Sequence, residues 1–216
     1  MSDSDETKLP IVIIGGGGHA SVLADILQRQ NREILAVVCP DEINQRSVFS
    51  GILHIKEDVG ITRFPPSQIC LVNGIGMLPK SNFKQKINEY FLSLGYKFET
   101  IISEHALVSP YATIESGAQI LPMAIVQAGA VVGSHSIINT AAIIEHDCNI
   151  GSYNHIAPKA TLCGDVKTED SAYIGAGAII IQGLSVGYKA IVGAGVCLTS
   201  NLKSNSIAYP AKISIK

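Results

Sequence analysis

Tryptophan is absent from this 216-residue chain, aromatic residues make up only 6% of it, and no block of like charges occurs. With a net charge of −2, the chain lacks the broad basic surface that nucleic acid or an anionic membrane would need, although a local pocket for phosphates stays compatible. Its longest apolar stretches fall far short of the ~20 residues of a membrane helix. Met1 to Leu9 is polar and acidic, unlike a secretory signal. The five cysteines (Cys39, Cys70, Cys148, Cys163 and Cys197) include no CxxC pair. An odd, scattered set fits reduced thiols of the cytoplasm rather than a disulfide framework or a zinc site, so no metal is expected.

What the chain does have is unevenly distributed. Four of its five Phe residues and nearly all of its helix-forming segments precede residue 95. After residue 103 it is rich in Ala, Gly, Ile and Val without a helical period. Written in sixes from His105, that second half has an aliphatic fourth residue in 15 of 16 blocks, from Val108 and Ile114 to Val192 and Leu198; only Thr168 breaks the run. Two residues earlier the position is small, Ala in 10 of 16 blocks. A short strand with alternate side chains inward, followed by a turn, repeats on this beat. Three strands close one triangular coil, and stacked coils align the aliphatic residues into interior columns. Roughly five coils of a parallel β-helix are expected over residues 105–198. Periodicity alone does not fix their hand.

The first half alternates strands and helices. Pro10 to Ile14 is a strand, Gly15-Gly16-Gly17-Gly18-His19-Ala20 opens a helix reaching about Asn31, and Ile34 to Val38 and Gln68 to Val72 are further strands. A second helix spans Phe83 to Leu94, and Phe98 to Ile102 is read as a fourth strand. This is a small Rossmann-like parallel α/β domain. Its glycines fit G-x-G-x-x-A at a strand-to-helix turn, where backbone N–H groups and the helix N-terminus face a phosphate; a merely tight turn would use the same residues. A dinucleotide fold would continue into a second half. Here the repeat intervenes, and a mononucleotide diphosphate such as the UDP of a nucleotide sugar suits the size better. The chain therefore divides into a disordered terminus (1–9), a nucleotide-sugar-binding domain (10–102), a β-helix (103–200) and a closing segment (201–216).

The repeat contains His135, His146 and His155. His146 follows inward Ile144 by two residues, at a corner, and His155 immediately precedes inward Ile156 and so points out. Nine residues, half a coil, separate them, so within one copy they lie on opposite sides of the prism. They share a site only across a subunit boundary, which implies a head-to-tail ring, a trimer. Outward histidines in a β-helix also occur as solvated turn residues, and Asp147 could simply satisfy turn amides.

The order GGGGHA, NGIG (Asn73 to Gly76), a helix, and hexapeptide repeats containing EHDCNIG and YNHIAP resembles the bacterial UDP-4-amino-sugar N-acetyltransferases, grouped with sialic acid O-acetyltransferase-like proteins. The resemblance runs from Leu9 to Lys212 and implies a left-handed β-helix, a homotrimer, acetyl-CoA as acetyl donor, and the 4-amino group of a UDP-linked deoxy-amino sugar as acceptor, for surface glycans or protein glycosylation. It also implies residue roles. His146 matches the general base and Asp147 the acid that raises its basicity; His155, Ala176 and Ala194 match coenzyme contacts. Gly15, Gly16 and Gly17 match the nucleotide-sugar loop, and Gly74 a backbone contact. Lys212, in the closing Tyr209-Pro210-Ala211-Lys212, is a candidate for the coenzyme phosphates. Where many relatives carry paired acids after the second strand, this chain has Cys39-Pro40-Asp41-Glu42, with Asp41 the substitute for base or ribose recognition. An amine attacking a thioester must lose a proton, and a neutral imidazole held by a carboxylate suits that task. The same base would serve O-acetylation of a sugar hydroxyl such as that of sialic acid, and a nucleotide-sugar-binding scaffold is the non-enzymatic alternative.

Overall fold

The computed structural model describes residues 8–210. Most of the expected disordered terminus, and Lys212, lie outside the described residues. The chain forms two compact units that divide between Glu99 and Thr100.

In the first unit, β1 (Ile11–Ile14) is buried along its whole length. Such an uninterrupted IVII run belongs to a parallel strand covered on both faces. It lies between β2 (Ile34–Val38) and β4 (Cys70–Asn73), with β3 (Leu53–Ile55) outside β2, all parallel in the order β3-β2-β1-β4. Helix α1 (Gly18–Arg29) turns Ala20, Leu23, Ala24, Ile26 and Leu27 inward, the 3–4 spacing of an amphipathic helix. Helix α2 (Phe83–Ser93) contributes Phe91, which packs edge-on to Tyr96. The three-residue β3 escapes a pattern search because Leu53, at the sheet edge, is exposed and leaves no alternation to see. The strand read at Phe98 to Ile102 divides instead. Phe98 forms an isolated bridge to Leu71, while Ile101–Ile102 pairs with Gln119–Ile120 and opens the second unit.

That unit is a three-sided coil of two-residue strands in parallel sheets of seven, six and five strands, the arrangement typical of a left-handed β-helix. Face I carries Gln119, Ile137, His155 and Tyr173 outward; face II carries Ile125, Ile143, Thr161 and Ile179; face III carries Val131, Asn149 and Lys167. From Ile101–Ile102 to Cys197–Leu198 the strands pair at a separation of 18 residues, as Val131 with Asn149, and the last pairing, Ile191 with Ile207, spans 16. The fourth-position aliphatics from Ile120 to Val192 are almost fully buried in one continuous core, with Ala118, Ala124, Ala130, Ala142 and their successors filling the corners between them. Thr168 keeps the inward register despite its hydroxyl, which accepts a hydrogen bond from the Gly151 amide at 3.4 Å. Every sixth residue from Gly117 to Gly195 takes a left-handed φ, including His135 (59°), Asp147 (60°) and Asp165 (56°). This single left-handed step in each turn redirects the chain between faces. The coil extends beyond the expected bounds at both ends, because Ile101–Ile102 and Ile207–Ala208 continue face I.

Candidate functional site

The glycine turn of the first unit frames a cleft. β1 is followed by Gly15, whose φ of 93° bends the chain and whose amide donates to the Val38 carbonyl at 2.7 Å. Gly16 is pressed against the loop after β2: a Cβ there would lie 2.5 Å from Ile43 Cγ2. Gly17, the N-cap of α1, has no atom within 4 Å of where a Cβ would project. That open side adjoins the N-terminus of α1, which has no side-chain cap, and the first backbone N–H groups of such a terminus have no partner within the helix and can face an anion. Gly16, Gly17, Cys39, Asp41, Glu42, Gln45 and Arg46 line a cleft of about 390 Å³. Glu42 pairs with Lys56, whose hydrogen bond and charge hold its carboxyl below the usual range. Asp41 is exposed on the cleft wall. Gly15 and Gly74 stand behind the cleft. Gly74 donates to the Ile14 carbonyl at 2.7 Å and abuts Ala20, where a Cβ would come within 2.6 Å. Arg46 and Gln45 were not anticipated from sequence. They follow the second strand in a loop with no motif, and only its folding back over Gly16 brings them to the cleft.

On the β-helix, His146 projects from the corner between faces II and III, its side chain 65% exposed. Its Nδ1 lies 2.8 Å from Asp147 Oδ2. A carboxylate only accepts, so Nδ1–H is the donor and Nε2 carries the free lone pair. The Asp147 hydrogen bond, with smaller contributions from the charges of Asp147, Glu145 and Asp165, raises the imidazole pKa above its ordinary value. Between the two neighbouring acids, it is Asp147 that bonds the ring, because the left-handed residue at this turn folds its carboxylate back over its predecessor. Glycines one coil away make room for the pair. A Cβ on Gly129 would meet Asp147 Oδ1 at 2.4 Å, and one on Gly164 would meet His146 Nε2 at 2.7 Å. Writing the repeat in eighteens rather than sixes would have exposed both.

The other assigned residues lie elsewhere on the prism. His155 is on face I, buried and stacked on Tyr173 with ring centroids 4.9 Å apart. Ala176 and Ala194, both exposed, stack one coil apart at the corner between faces I and II, where the Gly195 amide donates to the Ala176 carbonyl at 2.9 Å. Face II thus separates the His146–Asp147 corner from the Ala176–Ala194 corner. His135 sits at the third corner and stacks on Tyr153.

One chain thus joins a hexapeptide coil bearing a carboxylate-held imidazole to an α/β unit with a cleft at its glycine turn. A family model described as the PglD N-terminal domain matches residues 10–91. The acetyltransferase domain of PglB from Neisseria gonorrhoeae FA1090, solved in complex with acetyl coenzyme A, is 30% identical and superposes with a TM-score of 0.82, covering 95% of this chain and 98% of that one. PerB from Caulobacter crescentus, solved in complex with CoA and GDP-perosamine, is 29% identical with a TM-score of 0.82, covering 95% and 97%. A GDP-perosamine N-acetyltransferase of Escherichia coli O157:H7 is 35% identical over 118 residues, 55% of this chain and 53% of that protein. The chain spans about half the length of the curated relatives it matches. It belongs to the PglD-like family of acetyl-CoA-dependent sugar N-acetyltransferases with a hexapeptide-repeat β-helix.

Proposed function

We propose that this protein transfers the acetyl group of acetyl-CoA to the 4-amino group of a nucleotide-linked deoxy-amino sugar in the cytoplasm, for surface polysaccharide or protein glycosylation. The observation that carries this reading is the His146–Asp147 pair, exposed, joined through Nδ1 and flanked by two glycines. Nε2 accepts the proton as the amine attacks the thioester carbonyl, Asp147 stabilises the imidazolium that forms, and the imidazolium returns that proton to the departing thiolate of CoA as the tetrahedral adduct collapses to the amide. No step requires a metal. The exposed backbone at Ala176 and Ala194 suits close approach of a pantetheine arm, and His155 lies on the adjoining face.

The catalytic assembly is a homotrimer. Face II supports this: its outward column runs from Leu107, 64% exposed, to Ile179, 44% exposed, in contrast to the polar Asn149 and Lys167 of face III. In a head-to-tail ring, packing through face II brings the Ala176–Ala194 corner of one copy toward the His146 corner of the next. Ile179→Glu should therefore shift the sedimenting species from trimer to monomer and abolish turnover. A trimer that persists with full activity would refute the arrangement.

UDP is the nucleotide that the sequence resemblance implies. GDP is the second reading, and the GDP-perosamine relatives favour it. Release of free CoA, followed with UDP-linked and GDP-linked 4-amino sugars and with free sialic acid, separates these. Turnover confined to sialic acid would make the protein an O-acetyltransferase, and binding without turnover would make it a scaffold.

A further inference from the structure

A buried lysine stands behind the nucleotide cleft. Lys84, in the first turn of α2, is 4% exposed, and its Nζ donates to the carbonyls of Asn73 (2.9 Å) and Ile75 (3.0 Å). No carboxylate pairs with it among the described residues. The side chain of Asn73 closes the network: its Nδ2 donates to Asn88 Oδ1 at 2.6 Å and to the Lys84 carbonyl at 3.3 Å, and its Oδ1 accepts from the Ile75 amide at 2.9 Å. Burying an ammonium without a counter-charge is unfavourable, and burial alone lowers the Lys84 pKa to about 7. An apolar side chain would fill the space at less cost, but it would take the Lys84 donor away from two carbonyls, that of Asn73 at the end of β4 and that of Ile75 just beyond it.

The strap from Asn73 to Gly76 is the wall on which the glycine turn rests. A Cβ on Gly15 would stand 3.3 Å from both Gly74 C and Ile75 N; one on Gly74 would stand 2.6 Å from Ala20 Cβ; one on Gly76 would stand 3.8 Å from His19 Cβ. A shift of the strap by a few tenths of an ångström is therefore felt directly at Gly15 and at the N-terminus of α1, where backbone amides line the phosphate cradle.

We propose that Lys84 is a positioning residue for the nucleotide part of the substrate: by tying the Asn73 and Ile75 carbonyls to α2 it fixes the strap against the Gly15 turn and sets the affinity for a nucleoside diphosphate. Lys84 does not line the cleft and acts only through backbone. The inference rests on the glycine cleft being the nucleotide site, and the experiment tests the two separately.

Titration calorimetry with UDP and with GDP is run on the full-length wild type, Gly17→Val, Lys84→Met, Lys84→Gln and Lys84→Arg, alongside KM for acetyl-CoA and thermal melts. Gly17→Val projects into open space and should abolish nucleotide binding without unfolding the chain. Lys84→Met should weaken the tighter nucleotide at least tenfold and raise KM for the nucleotide sugar alike, with KM for acetyl-CoA unchanged. Lys84→Arg, which keeps both donors, should restore most of that affinity. If Lys84→Met fails to fold, Lys84→Gln, which keeps one reach of donor, should show an intermediate loss. Wild-type nucleotide affinity in a folded Lys84→Met or Lys84→Gln, with Gly17→Val defective, overturns the role of Lys84 alone. Unchanged affinity in Gly17→Val removes the cleft assignment and the Lys84 proposal together.

Discussion

The two units solve the same problem, burying a parallel sheet, by opposite means. In the β-helix up to Leu198, strand partners are found by adding or subtracting 18, so Val132 meets Ile150 and Ile114 without any long excursion of chain. In the α/β unit β1 pairs with β4 across most of the domain, Ile11 with Cys70, and the core is closed by irregularly spaced Phe91, Tyr96 and Phe98. Polar burial differs likewise. The coil admits Thr168 alone and Ser136 with Asn154 as a linked pair, both anchored to the backbone of neighbouring coils, whereas the α/β unit concentrates Asn73, Lys84 and Asn88 in one network behind its cleft. A periodic scaffold offers identical corners, and chemistry enters by changing one of them. An aperiodic scaffold must build its site from the packing itself.

Substitutions can sharpen that contrast, beginning with the largest expected effect. Phe91→Ala, which leaves a large cavity in the aperiodic core, should cost about 3–5 kcal/mol in a denaturant melt. A loss under ~1 kcal/mol would mean that this core is far more adaptable than its packing implies. His146→Ala should lower kcat by ~10²-fold or more, about 2.7 kcal/mol of transition-state stabilisation, with the melt unchanged. A near-wild-type rate at saturating substrates would reject the general base.

Asp147→Asn tests the pH dependence. The base must be neutral to accept a proton, and Asp147 is the first cause of the raised His146 pKa. Wild-type activity should therefore fall, on the acid side, at a higher pH than an ordinary histidine would give, and the variant's acidic limb should move to lower pH with a reduced maximum. An unmoved limb would separate the titrating group from His146. The smallest effect belongs to Thr168, the one fourth-position residue that breaks the aliphatic beat between Val108 and Leu198. Thr168→Val restores the aliphatic beat and gives up one long hydrogen bond, so stability should change by no more than about 1 kcal/mol. A larger loss would show that the coil depends on that hydroxyl as strictly as the α/β unit depends on its buried network.

Much of this was legible in advance, for physical reasons that differ between the units. Ile120 through Val192 could be set inward from the six-residue beat because a stacked coil gives each position one environment. The strand at Ile101 was legible but assigned to the first unit, although Ile102 keeps the six-residue beat and pairs into the coil; the strand at Ile207 was hidden because its pairing with Ile191 spans 16 residues and departs from that beat. The Gly15–Gly18 turn announced itself as strand, glycines and helix, but Arg46 and Gln45 belong to a loop whose course no local pattern encodes. Gly164 and Gly129 were visible only at the longer 18-residue spacing.

By itself, then, the sequence determined the coil, its inward columns, the corner on which His146 stands and the turn at which α1 begins, since each follows from interactions between residues at fixed separations. Only the tertiary structure decided that Asp147 rather than Glu145 grips the imidazole, that Gly74 backs the cleft instead of lining it, and that Lys84 lies buried beneath the strap. Those outcomes depend on a left-handed φ at one corner and on how distant segments close over each other, and no spacing along the chain records either.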